Sequence, residues 1–193
     1  MLKVLIVCTG NICRSPIAHG LLADRARRLG DGWLEVRSAG TWGRDGNPAT
    51  PEAVSSAAQI GIDIGAHRAS RFTSELADRA DLVVTMTVEQ AYEVLEQSPQ
   101  SRGKTFTLKE LVGILGALPP APSGTERDAV LQRIAEADRA RTADYTPPAD
   151  LDVVDPLGLS QTVYRAVANE LEGLVDDLLR GLIGGRESAA AGG

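Results

Sequence analysis

Leu2-Lys3-Val4-Leu5-Ile6-Val7 is an apolar, β-branched run with the length of one buried strand, and it leads straight into Cys8-Thr9-Gly10-Asn11-Ile12-Cys13-Arg14-Ser15-Pro16. Pro16 suits the first position of a helix and Ser15 its N-cap, so the stretch reads as strand, tight loop, helix. The backbone N–H groups of such a loop, with the helix N-terminus, form an anion site. Cys8 stands at the strand end in that field, and Arg14 follows six residues on. A thiol so placed ionises readily. A phosphate cradle with a thiolate at its floor suits phosphoryl transfer in which the protein is the nucleophile. The spacing Cys-x5-Arg is weak by itself; the strand before it, Gly10 within it and Ser-Pro after it give it weight. The plainer alternative is a buried structural cysteine in a βα turn.

Downstream, apolar runs alternate with amphipathic ones. A helix is expected over about Pro16–Arg28 with Gly30 as its stop, then a short strand over 33–37 closed by Ser38-Ala39-Gly40-Thr41. Trp42 opens a loop of turn residues running to Pro48, and Thr50-Pro51-Glu52 caps a second helix ending near Gly61. Asp81-Leu82-Val83-Val84-Thr85-Met86 reads as a third strand, Val88–Gln97 as a helix and Lys104–Thr107 as a fourth strand. Strands alternating with helices imply a single α/β domain: a four-stranded parallel sheet, Rossmann-like, with helices on both faces. Ligands of such sheets bind beyond the carboxyl ends of the strands, where Cys8 lies.

The domain is expected to span 1–183. A Pro-bounded helical insertion at about 114–150 carries the stripe Val130, Leu131, Ile134 and Ala137, and enters beside the substrate mouth or as a passive surface excursion. Residues 184–193 read as a disordered tail. Ser160 caps a last helix whose Val163, Val167, Leu171, Leu174, Leu178 and Leu182 share one face.

Composition narrows the function. A formal net charge of −6 argues against nucleic acid or an acidic membrane as partner. There is no apolar run long enough to span a membrane and no basic lead of signal type, and two cysteines five apart fit a reducing cytoplasm. The spacings of Cys8, Cys13, His19 and His67 match no zinc site, so neither metal nor other cofactor is expected. Oligomeric state is not legible.

The stretch Cys8–Pro16 resembles the signature loop of the low-molecular-weight protein tyrosine phosphatase family. The likeness continues in order through Ser38–Thr41, Gly61–Ala69, Asp81–Met86 and Asp155-Pro156. The chemistry expected of these residues is phosphomonoester hydrolysis. Backbone N–H groups over Thr9, Gly10, Asn11, Ile12, Cys13, Arg14 and Ser15 would ring the phosphate, and the guanidinium of Arg14 would fork onto two of its oxygens. Cys8 would attack phosphorus and carry it as phosphocysteine. The resemblance gives Asp155 the role of acid and then base, with Asp152 as a nearby competitor that no Pro follows. Ser15 can donate to the Cys8 thiolate. Asn11 suits a left-handed position, and the resemblance holds it through Ser38 and His67. His67 is equally a satisfied structural histidine, and His19 is expected on the helix surface. Cys13 is a candidate for a reversible disulfide with Cys8.

The expected substrate is a phosphorylated protein or peptide. Phosphotyrosine members of the family line the pocket with aromatics, including a pair after Asp-Pro; here Leu157 and Gly158 stand there. A phosphoarginine branch continues Asp-Pro with an apolar residue and Gly, but resembles the signature loop with Thr where this chain has Ile12. Ile12, Trp42 and Leu157 are the expected pocket, with Tyr145 as a further wall. Apolar Ile12 favours phosphotyrosine, with phosphoarginine as the alternative. A thiol arsenate reductase would need resolving cysteines after Cys13, and a phosphate-binding module would not need nucleophile and acid together.

Overall fold

The computed structural model describes residues 1–30, 32–141 and 150–184. Four parallel strands lie in the order β2-β1-β3-β4: β1 is Leu2–Cys8, β2 Leu34–Gly40, β3 Leu82–Thr85 and β4 Thr105–Thr107. β1 is central and pairs with β2 from Leu2↔Leu34 to Cys8↔Gly40, and with β3 from Val4↔Leu82 to Val7↔Thr85. The expected α/β sheet with helices on both faces is therefore present.

Alternation along β1 divides the core. Leu2, Val4, Ile6 and Cys8 join one cluster with residues of α1 (Arg14–Leu29), α2 (Pro51–Gln59), α5 (Leu108–Ala117), α6 (Arg127–Ala140) and α7 (Gln161–Ile183). Leu5 and Val7 join the other with Ala77 of α3 (Ser74–Arg79) and Val94 of α4 (Val88–Gln97). Both faces of β1 are covered, which explains its unbroken apolar sequence. Val167, Leu171, Leu178 and Leu182 of α7 are buried, while Val163 and Leu174 are partly so.

Several boundaries differ from expectation. β2 runs on through Ser38 and Ala39 to Gly40, because pairing with β1 continues to Cys8. α1 begins at Arg14, with Cys13 at the N-cap position, so Ser15 and Pro16 lie inside its first turn. Helix α5 was not expected; Thr107 and Glu110 form its capping box, and the expected break at about 114 falls inside it. Val130, Ile134 and Ala137 of α6 are buried as their spacing implied. Arg141 at the end of α6 donates to Thr105 O, and its guanidinium lies 3.9 Å over the Phe106 ring. Arg127 at the start of α6 pairs with Asp81, just before β3. Both ends of helix α6 are thus tied near the amino ends of β3 and β4, away from the mouth at the strands' carboxyl ends. Tyr145 and the tail after Gly184 lie outside the described residues.

Candidate active site

The loop after β1 turns back on its own cysteine. Asn11 takes φ 54°, a left-handed conformation for which Asn is suited. This brings the Asn11 N–H to 3.2 Å from Cys8 Sγ. Ser15 Oγ lies 2.9 Å from the same sulfur and accepts from Asn11 Nδ2 at 2.8 Å. Because Asn11 supplies that N–H, the Ser15 hydroxyl is free to donate to a thiolate. Of the two roles the sequence offered Ser15, its hydroxyl faces the sulfur and does not cap the helix, whose N-cap position is Cys13. Among the described residues no protein group accepts the N–H of Gly10, Ile12, Cys13, Arg14 or Ser15. These orphan donors, at a loop and a helix start, are what an oxyanion needs.

The carboxyl end of β2 backs the loop. Thr41 N–H donates to Cys8 O at 3.0 Å and Trp42 N–H to Thr9 O at 2.9 Å. A Cβ at Gly40 would stand 2.6 Å from Thr9 O and 2.9 Å from Asn11 N, so the close approach requires glycine.

Arg14 is buried, with 3% of its side chain exposed. Nη1 donates to Val153 O at 2.9 Å and Nη2 to Asp155 Oδ2 at 2.7 Å. Nε is buried without a partner among the described residues. Such a donor costs about 1–3 kcal/mol when unmet, and an oxyanion on the orphan N–H groups would meet it. Asp155 Oδ1 accepts the Leu157 N–H at 3.2 Å, which shapes the turn after it. The competitor Asp152 is committed elsewhere: its Oδ1 accepts the Val88 N–H at 2.8 Å at the start of α4.

The support network departs from expectation at one residue. His67 Nε2 donates to Asn11 O at 2.8 Å, as anticipated. Ser38, however, pairs with His19 Nδ1 at 3.2 Å and does not touch Asn11. The Asn11 side chain instead accepts the backbone N–H of Ser70 at 2.8 Å. His19 is half-buried, not on the surface. Burial holds both imidazoles below their ordinary pKa of 6.5, with the charge of Arg68 adding to this at His67 and that of His67 at His19.

The Cys13 sulfur has partners of its own, with Thr50 Oγ1 at 3.7 Å and Tyr164 OH at 3.5 Å. Burial pushes its thiol up, and pushes Tyr164 up to about 12. Both cysteines are free. A disulfide with Cys8 would need Cys13 to leave those hydroxyls, and its protonated thiol is a poor nucleophile.

Of the expected pocket, Ile12 is half-buried with its side chain beside Gly10, Trp42 is exposed next to Thr9, and Leu157 is exposed two residues past Asp155. Sequence reasoning missed Gln90 and Glu93 on α4. Gln90 Nε2 donates to Thr9 Oγ1 at 3.0 Å, and Glu93 Oε1 accepts from Trp42 Nε1 at 2.8 Å. The pattern Thr87-x-x-Gln90 was a visible capping box, but nothing in it announced Thr9. Among the described residues, no group of three or more His, Cys, Asp or Glu could hold a metal, and no helix is long and apolar enough to cross a membrane.

A thiol, a buried arginine and a carboxylate thus meet around a ring of N–H donors at the carboxyl end of a parallel α/β sheet. Residues 3–118 match the family model described as low molecular weight phosphotyrosine protein phosphatase. The chain is 34% identical over 176 residues to the protein-arginine-phosphatase of Geobacillus stearothermophilus, covering 91% of this chain and 93% of that one. It is 44% identical over 108 residues to the probable low molecular weight protein-tyrosine-phosphatase EpsP of Ralstonia solanacearum, covering 56% and 71%. The crystal structure of a low molecular weight protein tyrosine phosphatase from T. tengcongensis matches with a TM-score of 0.71 at 34% identity, covering 94% of this chain and 100% of that one. The chain belongs to the low-molecular-weight phosphotyrosine protein phosphatase family, and is a phosphatase of that family.

Proposed function

We propose that this protein removes the phosphoryl group from phosphorylated arginine side chains of proteins. The observation that carries this choice is Gly158, which has φ 79°, a conformation that L side chains rarely adopt. The loop after Asp155-Pro156 is therefore shaped for Leu157-Gly158 and would strain the second residue of an aromatic pair. The match to the arginine phosphatase of G. stearothermophilus, which covers 91% of this chain, supports the same reading; the match to EpsP covers 56%.

In the proposed reaction, the phosphoryl oxygens sit on the orphan N–H groups and on Arg14. Cys8 Sγ attacks phosphorus, the bond from phosphorus to the side-chain nitrogen breaks, and Asp155 protonates the departing nitrogen. Asp155 then takes a proton from water as that water attacks phosphorus, and the Cys8 thiolate leaves, held by Ser15 and Asn11. His67 fixes the left-handed turn at Asn11 that aims these donors. A reducing compartment such as the cytoplasm keeps Cys8 as the thiol this requires.

A second reading, phosphotyrosine, has specific support. Ile12 offers no acceptor for guanidinium N–H groups, Trp42 offers an aromatic face, and the T. tengcongensis tyrosine phosphatase matches over 94% of this chain. The deciding experiment is kcat/KM on matched phosphoarginine and phosphotyrosine peptides in chelator, for the wild type and Ile12→Thr. A wild-type preference for phosphoarginine, increased in Ile12→Thr, is expected. A wild-type preference for phosphotyrosine overturns the first reading in favour of the second.

A further inference from the structure

Three parts of the site meet on the first turns of α4. The acid loop docks there, with Val153 N–H donating to Met86 O and Asp152 accepting from Val88 N–H, both at 2.8 Å. The cradle docks through Gln90. That side chain is buried and has all its polar atoms in use, with Oε1 on the N–H groups of Met86 and Thr87 and Nε2 on Thr9 Oγ1. One turn further along the same face, Glu93 holds the Nε1–H of Trp42.

The topology gives this last bond its meaning. Trp42 follows β2 and α4 follows β3, and these two strands flank β1. A hydrogen bond from Trp42 to α4 must cross the carboxyl end of β1, beside Thr9. Trp42 N–H also donates to Thr9 O, so the residue is pinned to the cradle at its backbone and to α4 at its ring. Yet 69% of Trp42 is exposed, so little packing holds the indole in place.

We propose that Glu93 is a positioning residue for substrate recognition. It holds the Trp42 ring as a fixed wall beside the cradle, against which the planar side chain bearing the phosphoryl group stacks. This rests on the reading of the site as a protein phosphatase pocket. It applies to a guanidinium and to a phenol alike, since both present a flat face to the indole. Glu93 touches neither the phosphate nor the acid, so its contribution falls on binding the side chain. A Gln at position 93 keeps an acceptor for Nε1–H, whereas Ala does not.

The chain has two tryptophans, so a Trp33→Phe background isolates the emission of Trp42. In that background, Glu93→Ala is expected to lower the fluorescence anisotropy of Trp42, and Glu93→Gln to retain it. On the better of the two phosphopeptides, Glu93→Ala is expected to raise KM about three- to tenfold, the range of one aromatic stacking contact, with a smaller change in kcat. The Ki of inorganic phosphate should stay within about twofold, below that range, and Glu93→Gln should restore KM. Unchanged anisotropy in Glu93→Ala overturns the positioning role. Lower anisotropy with unchanged KM overturns the role of Trp42 as a substrate wall. A wild type inactive on both peptides overturns the underlying phosphatase reading, an outcome distinct from either.

Discussion

Arg14 Nη2 donates to Asp155 Oδ2 at 2.7 Å, joining residues 141 apart and tying the cradle to the acid loop. In the proposed mechanism the same guanidinium holds the phosphate, so Asp155 competes with phosphate for it. Replacing Asp155 by Asn removes both that competition and a negative charge near the oxyanion. Turnover should fall about 10²–10⁴-fold with the loss of the proton donor. The Ki of inorganic phosphate should fall too, meaning tighter binding. Steady-state kinetics with phosphate inhibition reads both; unchanged kcat would remove Asp155 from the acid role.

Gly40 and Gly116 predict opposite outcomes for the same substitution. A methyl at Gly40 meets Thr9 O at 2.6 Å, so Gly40→Ala should displace the cradle, cost about 1–3 kcal/mol and lower kcat/KM at least about tenfold. Gly116 lies inside α5 with nothing within 4 Å of the added Cβ. There, Ala should add about 0.5–1 kcal/mol of stability and leave kinetics alone. Thermal melts and kcat/KM on the two variants check the contrast.

Acid sensitivity follows from the histidines. His67 and His19 have folded pKa values lowered from 6.5, chiefly by burial. Below about pH 6.5 the unfolded chain therefore binds more protons at these sites than the folded one. Their stabilising contribution is full above the unfolded pKa and is lost as pH falls through the folded values. Tm should drop between pH 7 and pH 5, and His67→Gln should drop less over the same range. A variant with the same slope as the wild type would place the titration elsewhere.

These residues also mark what the sequence made legible. β1, the loop and α1 were readable because burial on both faces demands an unbroken apolar strand, and because phosphate chemistry demands Cys8, Arg14 and an acid together. Asp155 and Asp152 were separable only in part, since the N–H of Val88 that occupies Asp152 has no side-chain signature. For the same reason Asn11 was expected on Ser38, when its side-chain amide oxygen accepts from the backbone N–H of Ser70. Ser15 looked like a cap because sequence does not reveal that the helix begins two residues earlier than Pro16. Helix α5 was missed because its apolar face ran into the proline-rich segment, although Thr107-x-x-Glu110 was a capping box in plain view. Gln90 and Glu93 went unremarked because their partners, Thr9 and Trp42, lie on loops distant in sequence.

The central claim is that Cys8 carries the phosphoryl group, and rapid-quench mass spectrometry tests it most directly. Asp155→Asn, given an aryl phosphate with a good leaving group, needs no acid to form the intermediate but lacks the base that hydrolyses it. A burst of one phenol per enzyme should precede slow turnover, and acid-quenched protein should carry one phosphoryl mass on the peptide containing Cys8. Steady turnover with no burst, or a phosphoryl group on any other residue, would contradict the mechanism.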